Sequence, residues 1–204
     1  GTLAALRDAG VYVSFEEFKG RQPCVRGGKE VPMKPADFDN PFVRRGPTAG
    51  SSGSTGARTR VVIDLDYIRQ QAPITMLAYA AHGVLDAPRA YWLPILPAPS
   101  GIISLLSTAI EGADVRKWYS PISPNEAQPS LPNRALTRFI VAAGRLGRGR
   151  IPYPETLPMD QAIVIARWAR EMIERHGACF IVSYVSMALR VSLAAQEAGI
   201  SLDG

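Results

Sequence analysis

The residues best suited to chemistry lie in one short segment, residues 50–56, which reads Gly-Ser-Ser-Gly-Ser-Thr-Gly. Glycines let successive backbone N–H groups turn toward one point, and such amides form an anion-binding nest. The serine and threonine hydroxyls add donors, and the hydroxyl of Thr55 can also bind a phosphate-bound Mg²⁺. Arg58 and Arg60 follow at once with two positive charges. The segment therefore predicts a polyphosphate site.

A flexible Gly/Ser linker is the alternative reading of this composition. The context disfavours it, because residues 59–63 are short, β-branched and apolar and predict a strand directly after the segment. A Walker loop is excluded, since no lysine is present and the next element is a strand instead of a helix. The same argument excludes a dinucleotide fingerprint. A second glycine-rich stretch, 144–150, follows a predicted helix and indicates an exposed basic turn.

Composition is that of a globular protein, with 204 residues, 47% hydrophobic and 20% charged. The net charge is +5, but no nucleic-acid-binding motif accompanies it, so no nucleic-acid partner is predicted. The two cysteines and two histidines do not have zinc-ligand spacing, which favours a reduced, cytoplasmic protein. No run reaches the ~18 apolar residues of a membrane span, so no membrane partner is predicted.

The elements that must position the segment alternate between helix and strand from residue 64 onward. This alternation predicts an α/β fold, a mostly parallel sheet flanked by helices. Helices are expected over residues 67–82, 102–112, 133–143 and 186–198, and a further helix is expected between a cap at Asp160 and Gly177. Strands are expected over residues 90–96, 114–119 and 178–182. Pro73 should either kink the first helix or mark its true start. The proline-rich stretch 125–158 is expected to be a long excursion on the substrate side.

Two regions are expected: an N-terminal lead-in at 1–45 and an α/β subdomain at 46–204 that carries the loop. The chain lacks an initial methionine, and residues 200–204 follow a helix and lead toward another element. We therefore expect a piece of a longer protein that continues beyond residue 204.

Residues 51–56, Ser-Ser-Gly-Ser-Thr-Gly, closely match the Ser/Thr-Ser-Gly-Thr-Thr-Gly signature of the adenylate-forming superfamily. This group includes acyl-CoA synthetases and peptide-synthetase adenylation domains. Most members continue with x-Pro-Lys, whereas this chain has Ala57-Arg58-Thr59, and a threonine there resembles the phenylacetate–CoA ligase branch. The order of elements over 38–204 is similar to that branch too. The excursion and the missing proline are departures.

The resemblance implies that a carboxylic acid and ATP form an acyl-adenylate and pyrophosphate, after which a thiol, usually of coenzyme A, takes the acyl group. ATP, Mg²⁺ and coenzyme A are thus the expected cofactors and co-substrate, and Thr55 would meet the metal through the phosphates. The expected phosphate-binding residues are Ser51, Ser52, Gly53, Ser54, Thr55, Gly56, Arg60 and, less directly, Arg58. Both arginines are equally compatible with solvated charges beside a loop.

The resemblance also implies that the carboxylate substrate lies beside two strand-to-helix corners, which contain Ser100 and Gly101 and, further on, Ser183 and Tyr184. The alternative for Tyr184 is packing in the core or at its rim. His82 and His176 are expected to be helix C-terminal residues favoured by the helix dipole. The carboxylates at 16–17, 37 and 39 are expected to be solvated.

The family's later motifs, including its adenine contacts, Mg²⁺-holding glutamate and terminal lysine, do not occur before Gly204. The resemblance therefore implies a fragment that needs the remainder of its own chain to act, with a homo-oligomer possible. Two other functions stay open. One is acyl transfer to a carrier protein or protein thiol, and the other is a non-catalytic nucleotide-binding or scaffold domain.

Overall fold

The computed structural model describes residues 1–43, 48–50, 60–122, 129–146 and 151–203. Residues 51–59, which hold most of the predicted phosphate loop, lie outside this range. The chain forms two compact units, Gly1–Asp64 and Leu65–Gly204. The units thus divide after residue 64, and the functional boundary expected near residue 45 remains a prediction.

The first unit is built from short elements joined by turns. They are α1 (Thr2–Asp8), α2 (Phe15–Phe18), β1 (Val25–Arg26), β2 (Lys29–Glu30), a 3₁₀ turn (Pro35–Phe38), β3 (Thr48–Gly50) and β4 (Arg60–Val62). Strands β1 and β2 form a hairpin around Gly27 and Gly28, whose φ angles of 56° and 75° suit the tight turn that antiparallel strands prefer.

Arg26 of β1 connects this strand to α2 and to the segment between α1 and α2. Its two terminal nitrogens donate to the two carboxylate oxygens of Glu17 at 2.8 and 3.0 Å, and its Nε donates to the Gly10 carbonyl at 3.1 Å. Its guanidinium lies 4.3 Å from the ring centre of Tyr12. Glu17 also accepts the Ser14 backbone N–H at 2.7 Å, which completes a capping box at the start of α2.

This network predicts an acid-sensitive contribution to stability. Hydrogen bonds from Arg26, and then from the Ser14 backbone, lower the pKa of Glu17 from 4.5 to about 2. Because the folded pKa is lower than the unfolded one, the contribution is present above about pH 4.5 and disappears as the pH falls toward 2. Urea-unfolding midpoints should therefore fall more steeply over this range for the wild type than for Glu17→Gln. Parallel curves would contradict the assignment.

The second unit is a parallel sheet flanked by helices, which confirms the predicted α/β class. Its elements are α3 (Leu65–Ala81), β5 (Arg89–Trp92), α4 (Ser100–Ile110), β6 (Val115–Ile122), α5 (Leu131–Leu146), β7 (Glu155–Pro158), α6 (Ala162–His176), β8 (Phe180–Ser183) and α7 (Val185–Glu197). The four strands lie in the order β7-β6-β5-β8, and every neighbouring pair is parallel.

This strand order places helices on both faces of the sheet. From β5 the chain passes through α4 to β6 and through α5 to β7, always toward the same edge of the sheet, and then returns through α6 to β8 at the other edge. Because crossovers between parallel strands are right-handed, α6 must lie on the face opposite to α4 and α5. Ala90 and Trp92 accordingly share a buried core with residues of α6 and α7. Tyr91, between them in β5, points to the other face, where its hydroxyl bonds to Thr108 of α4.

Three local expectations were wrong or incomplete. Pro73 lies inside α3, which begins at Leu65, so the alternative that the helix starts near Pro73 is wrong. The supposed excursion holds the predicted helix, α5, but also the unpredicted strand β7, whose Pro158 is tolerated because β7 is at the sheet edge. The residue that caps α6 is Gln161, not Asp160, and its side chain makes no capping bond.

Within the described ranges, no helix combines the length and the apolar character that a membrane crossing requires.

Candidate functional site

The carboxyl ends of β5 and β8 define the first candidate site. These strands are neighbours, and the helices that follow them, α4 and α7, pack on opposite faces of the sheet. In open parallel sheets such a divergence leaves a crevice outside the carboxyl ends, which is where ligands bind. The corner that joins β5 to α4 contains Ser100, and the corner that joins β8 to α7 contains Tyr184.

The structure brings these two predicted residues together. The Ser100 hydroxyl lies 2.8 Å from the Tyr184 hydroxyl, across 84 positions of sequence. Tyr184 is 44% exposed, so it does not belong to the core. Ser183 lies beside it and donates its hydroxyl to the Tyr184 carbonyl at 3.3 Å. Three of the four residues expected to line a carboxylate therefore lie at one corner of the sheet.

Gly101, the fourth, has a packing role. A Cβ at this position would lie 2.4 Å from the Pro94 carbonyl oxygen and 3.0 Å from the Trp118 ring. Only glycine lets the start of α4 approach the β5–α4 connection so closely. Trp118 fixes the same connection by donating its indole N–H to the Leu93 carbonyl at 2.8 Å. Gly101 thus positions Ser100.

The corner favours an anion. The N-caps of α4 and α7 are Pro99 and Tyr184, and neither helix has a side-chain cap bond or an acidic residue in its first turn. The initial N–H groups of both helices are therefore not capped by side chains, and both dipoles present their positive ends. Carboxylate or phosphate oxygens are the groups that such a corner can bind.

A double-mutant cycle measures the Ser100–Tyr184 contact. Ser100→Ala, Tyr184→Phe and the double variant each remove hydroxyls without adding bulk. Because the pair is exposed, we expect a coupling of about 0.5–1 kcal/mol in the free energy of unfolding. Strictly additive effects would show that the two hydroxyls do not interact in solution.

The second candidate site is the glycine-rich loop of the first unit. Strands β3 and β4 are antiparallel, with Thr48 opposite Val62 and Gly50 opposite Arg60. The predicted strand after the loop is thus confirmed, and the chain enters and leaves residues 51–59 at paired positions. A linker between domains would not have its two ends paired in this way. The other predicted phosphate ligands lie outside the described residues: Ser51, Ser52, Gly53, Ser54, Thr55, Gly56 and Arg58.

Arg60 is the one predicted phosphate ligand that the structure describes. Its guanidinium forms a hydrogen-bonded ion pair with the Asp39 carboxylate, and both side chains are about one-third exposed. The sequence reading expected Asp39 to be solvated, and nothing in the 21-residue separation signals the pair. The guanidinium of Arg60 is therefore oriented by a carboxylate.

Other candidate chemistry is limited in the described part of the chain. No group of three or more histidine, cysteine, aspartate or glutamate side chains there could hold a metal ion. Burial raises the pKa of the Cys179 thiol, which makes it a poor nucleophile at neutral pH. His176 is the last residue of α6, and its Nε2 lies 2.9 Å from an Arg116 nitrogen. His82 follows the last residue of α3.

Comparison of the chain with protein-family models and with curated proteins found no match.

Proposed function

We propose that this chain carries the ATP-phosphate loop and part of the carboxylate site of an adenylate-forming acid–thiol ligase, with coenzyme A as the preferred thiol. The observation that carries the proposal is the loop. Its sequence, Ser-Ser-Gly-Ser-Thr-Gly at 51–56, resembles the superfamily signature, and its flanking residues Gly50 and Arg60 are paired in a β-ladder. The α/β fold with a parallel sheet agrees with such an enzyme.

The chemistry of the first step suits the loop's donors. A substrate carboxylate oxygen attacks the α-phosphorus of ATP, the bond to the bridging oxygen breaks, and pyrophosphate leaves with the electron pair. Negative charge thus accumulates on the β- and γ-phosphates, where prearranged N–H and hydroxyl donors stabilise the transition state more than the ground state. When bound, Mg²⁺ neutralises the same oxygens. A hydroxyl such as that of Thr55 is the ligand type it accepts beside phosphates.

Arg60 supplies the positive charge in this scheme. Its pairing with Asp39 holds the side chain at the base of the loop, and a triphosphate would compete with the carboxylate for the same guanidinium. Because both side chains are partly exposed, exchange of one anion for another costs little desolvation. Arg58 has the same proposed role.

The Ser100–Tyr184 corner is the proposed carboxylate site of the second unit. Hydroxyls and two helix N-termini there favour an anion, and no acidic residue lies in the first turn of α4 or α7 to repel it.

The test measures whether the protein expressed from its complete reading frame releases pyrophosphate from ATP when a carboxylic acid is added. The proposal expects ATP consumption to require both a carboxylic acid and Mg²⁺, and Gly53→Val to abolish it. A broad panel of carboxylic acids that produced no pyrophosphate would overturn the proposal. Nucleotide binding without turnover would instead favour a non-catalytic domain. Coenzyme A and carrier protein, supplied in parallel as acceptors, distinguish the two ligase alternatives.

A further inference from the structure

A polar cleft between α3 and α4 has no part in the proposed function. It has a volume of about 260 Å³ and is lined by polar side chains, including Thr75, Ser104, Ser107 and Thr108, and by the apolar surfaces of Ile68, Ile103 and Tyr79. Thr75 and Thr108 donate their hydroxyls to carbonyls of their own helices. Ser104 and Ser107 make no side-chain hydrogen bond within the described part of the chain, so their hydroxyls can serve a ligand.

Arg89 lies behind this cleft as a buried cation. It is completely buried, and one of its terminal nitrogens donates to the Leu85 carbonyl at 2.5 Å. Its Nε and other terminal nitrogen have no hydrogen-bond partner among the described residues, and no described carboxylate forms an ion pair with it. A buried cation that no carboxylate neutralises is rare and costly.

Two cleft residues connect Arg89 to the cavity. The guanidinium lies 4.6 Å from the ring centre of Tyr79, which lines the cleft. Tyr91, which interacts electrostatically with Arg89, shares a hydrogen bond with the Thr108 hydroxyl in the cleft wall. The field of the cation therefore reaches the cavity through low-dielectric protein, where it is weakly screened.

We propose that the α3–α4 cleft binds a small organic carboxylate. Its oxygens would accept hydrogen bonds from Ser104 and Ser107 in the field of Arg89, and its body would pack against Ile68, Ile103 and the Tyr79 ring. No charged side chain lines the cleft, so an anion meets no repulsion there, whereas a cation would be opposed by Arg89. This site is separate from the Ser100–Tyr184 corner and does not depend on the adenylate-forming activity.

The test compares lactate with its neutral analogue lactamide by chemical-shift titration of the chain, with inorganic phosphate as a second oxyanion. We expect lactate to bind at least about tenfold more tightly than lactamide, because hydrogen bonds to a charged group are the stronger ones. Ser104→Ala with Ser107→Ala should weaken lactate binding by about tenfold. Ser192→Ala, an exposed serine of α7, is the control and should leave binding unchanged.

Arg89→Gln should remove the preference for lactate over lactamide. If that variant unfolds, the serine pair, which leaves the buried cation intact, decides the question. Equal affinities for lactate and lactamide, an unaffected serine double variant, or binding of phosphate alone would each overturn the proposal.

Discussion

Under the proposed function, Thr55→Ala is expected to lower the rate of carboxylate-dependent pyrophosphate release by about a hundredfold in the complete protein, because it would remove one hydroxyl donor to the leaving phosphates. The loss should appear mainly in kcat, since charge develops on the pyrophosphate only as the bond breaks. Steady-state rates at saturating ATP and acid measure it.

Thr55→Ser is the matched control because it deletes the methyl group and retains the hydroxyl. It should keep most of the wild-type rate. If serine and alanine reduced the rate equally, the hydroxyl would have no role in the step, and a steric function of Thr55 would replace the proposed one.

Gly101→Ala is expected to destabilise the second unit by about 2–3 kcal/mol, although alanine is the better helix former. The added Cβ would lie 2.4 Å from the Pro94 carbonyl oxygen, and a backbone atom cannot move aside as a side-chain terminus can. The start of α4 must shift, which also displaces Ser100 from Tyr184. Urea unfolding gives the free energy.

Gly144→Ala in α5 is the control for this effect. Among the described residues its Cβ would meet only the Ile151 side chain, with Cδ1 at 2.8 Å and Cγ1 at 3.9 Å, and the flexible end of that side chain can rotate away. The gain in helix propensity offsets that adjustment, so we expect a change within about 1 kcal/mol. Equal destabilisation by the two substitutions would contradict the packing argument for Gly101.

The second unit's main helices and three of its four strands could be predicted from the sequence because each repeats a local pattern. Apolar spacing marks α6, and Gly177 ends it in a left-handed conformation. The strand β7 was missed because Pro154 and Pro158 suggest a loop, and only its position at the sheet edge explains them. Local pattern carries no information about which edge a strand will occupy.

The candidate sites could be predicted only in part. The residue types predicted the glycine-rich loop, and the family resemblance predicted the two strand-to-helix corners. The 2.8 Å contact of Ser100 with Tyr184 arises from the placement of β8 beside β5, which joins distant segments. The burial of Arg89 was not anticipated at all, since arginine is rarely fully buried without an acidic side chain to neutralise it.

The central claim is tested most directly by following an oxygen atom from the substrate. A carboxylic acid labelled with ¹⁸O in both carboxylate positions is incubated with ATP, Mg²⁺, coenzyme A and the complete protein, and the nucleotide product is analysed by mass spectrometry. If the carboxylate attacks the α-phosphorus and the thiol then attacks the acyl carbon, one ¹⁸O leaves with AMP. We predict singly labelled AMP and unlabelled pyrophosphate. Label in inorganic phosphate with release of ADP, or no label transfer at all, would contradict the account.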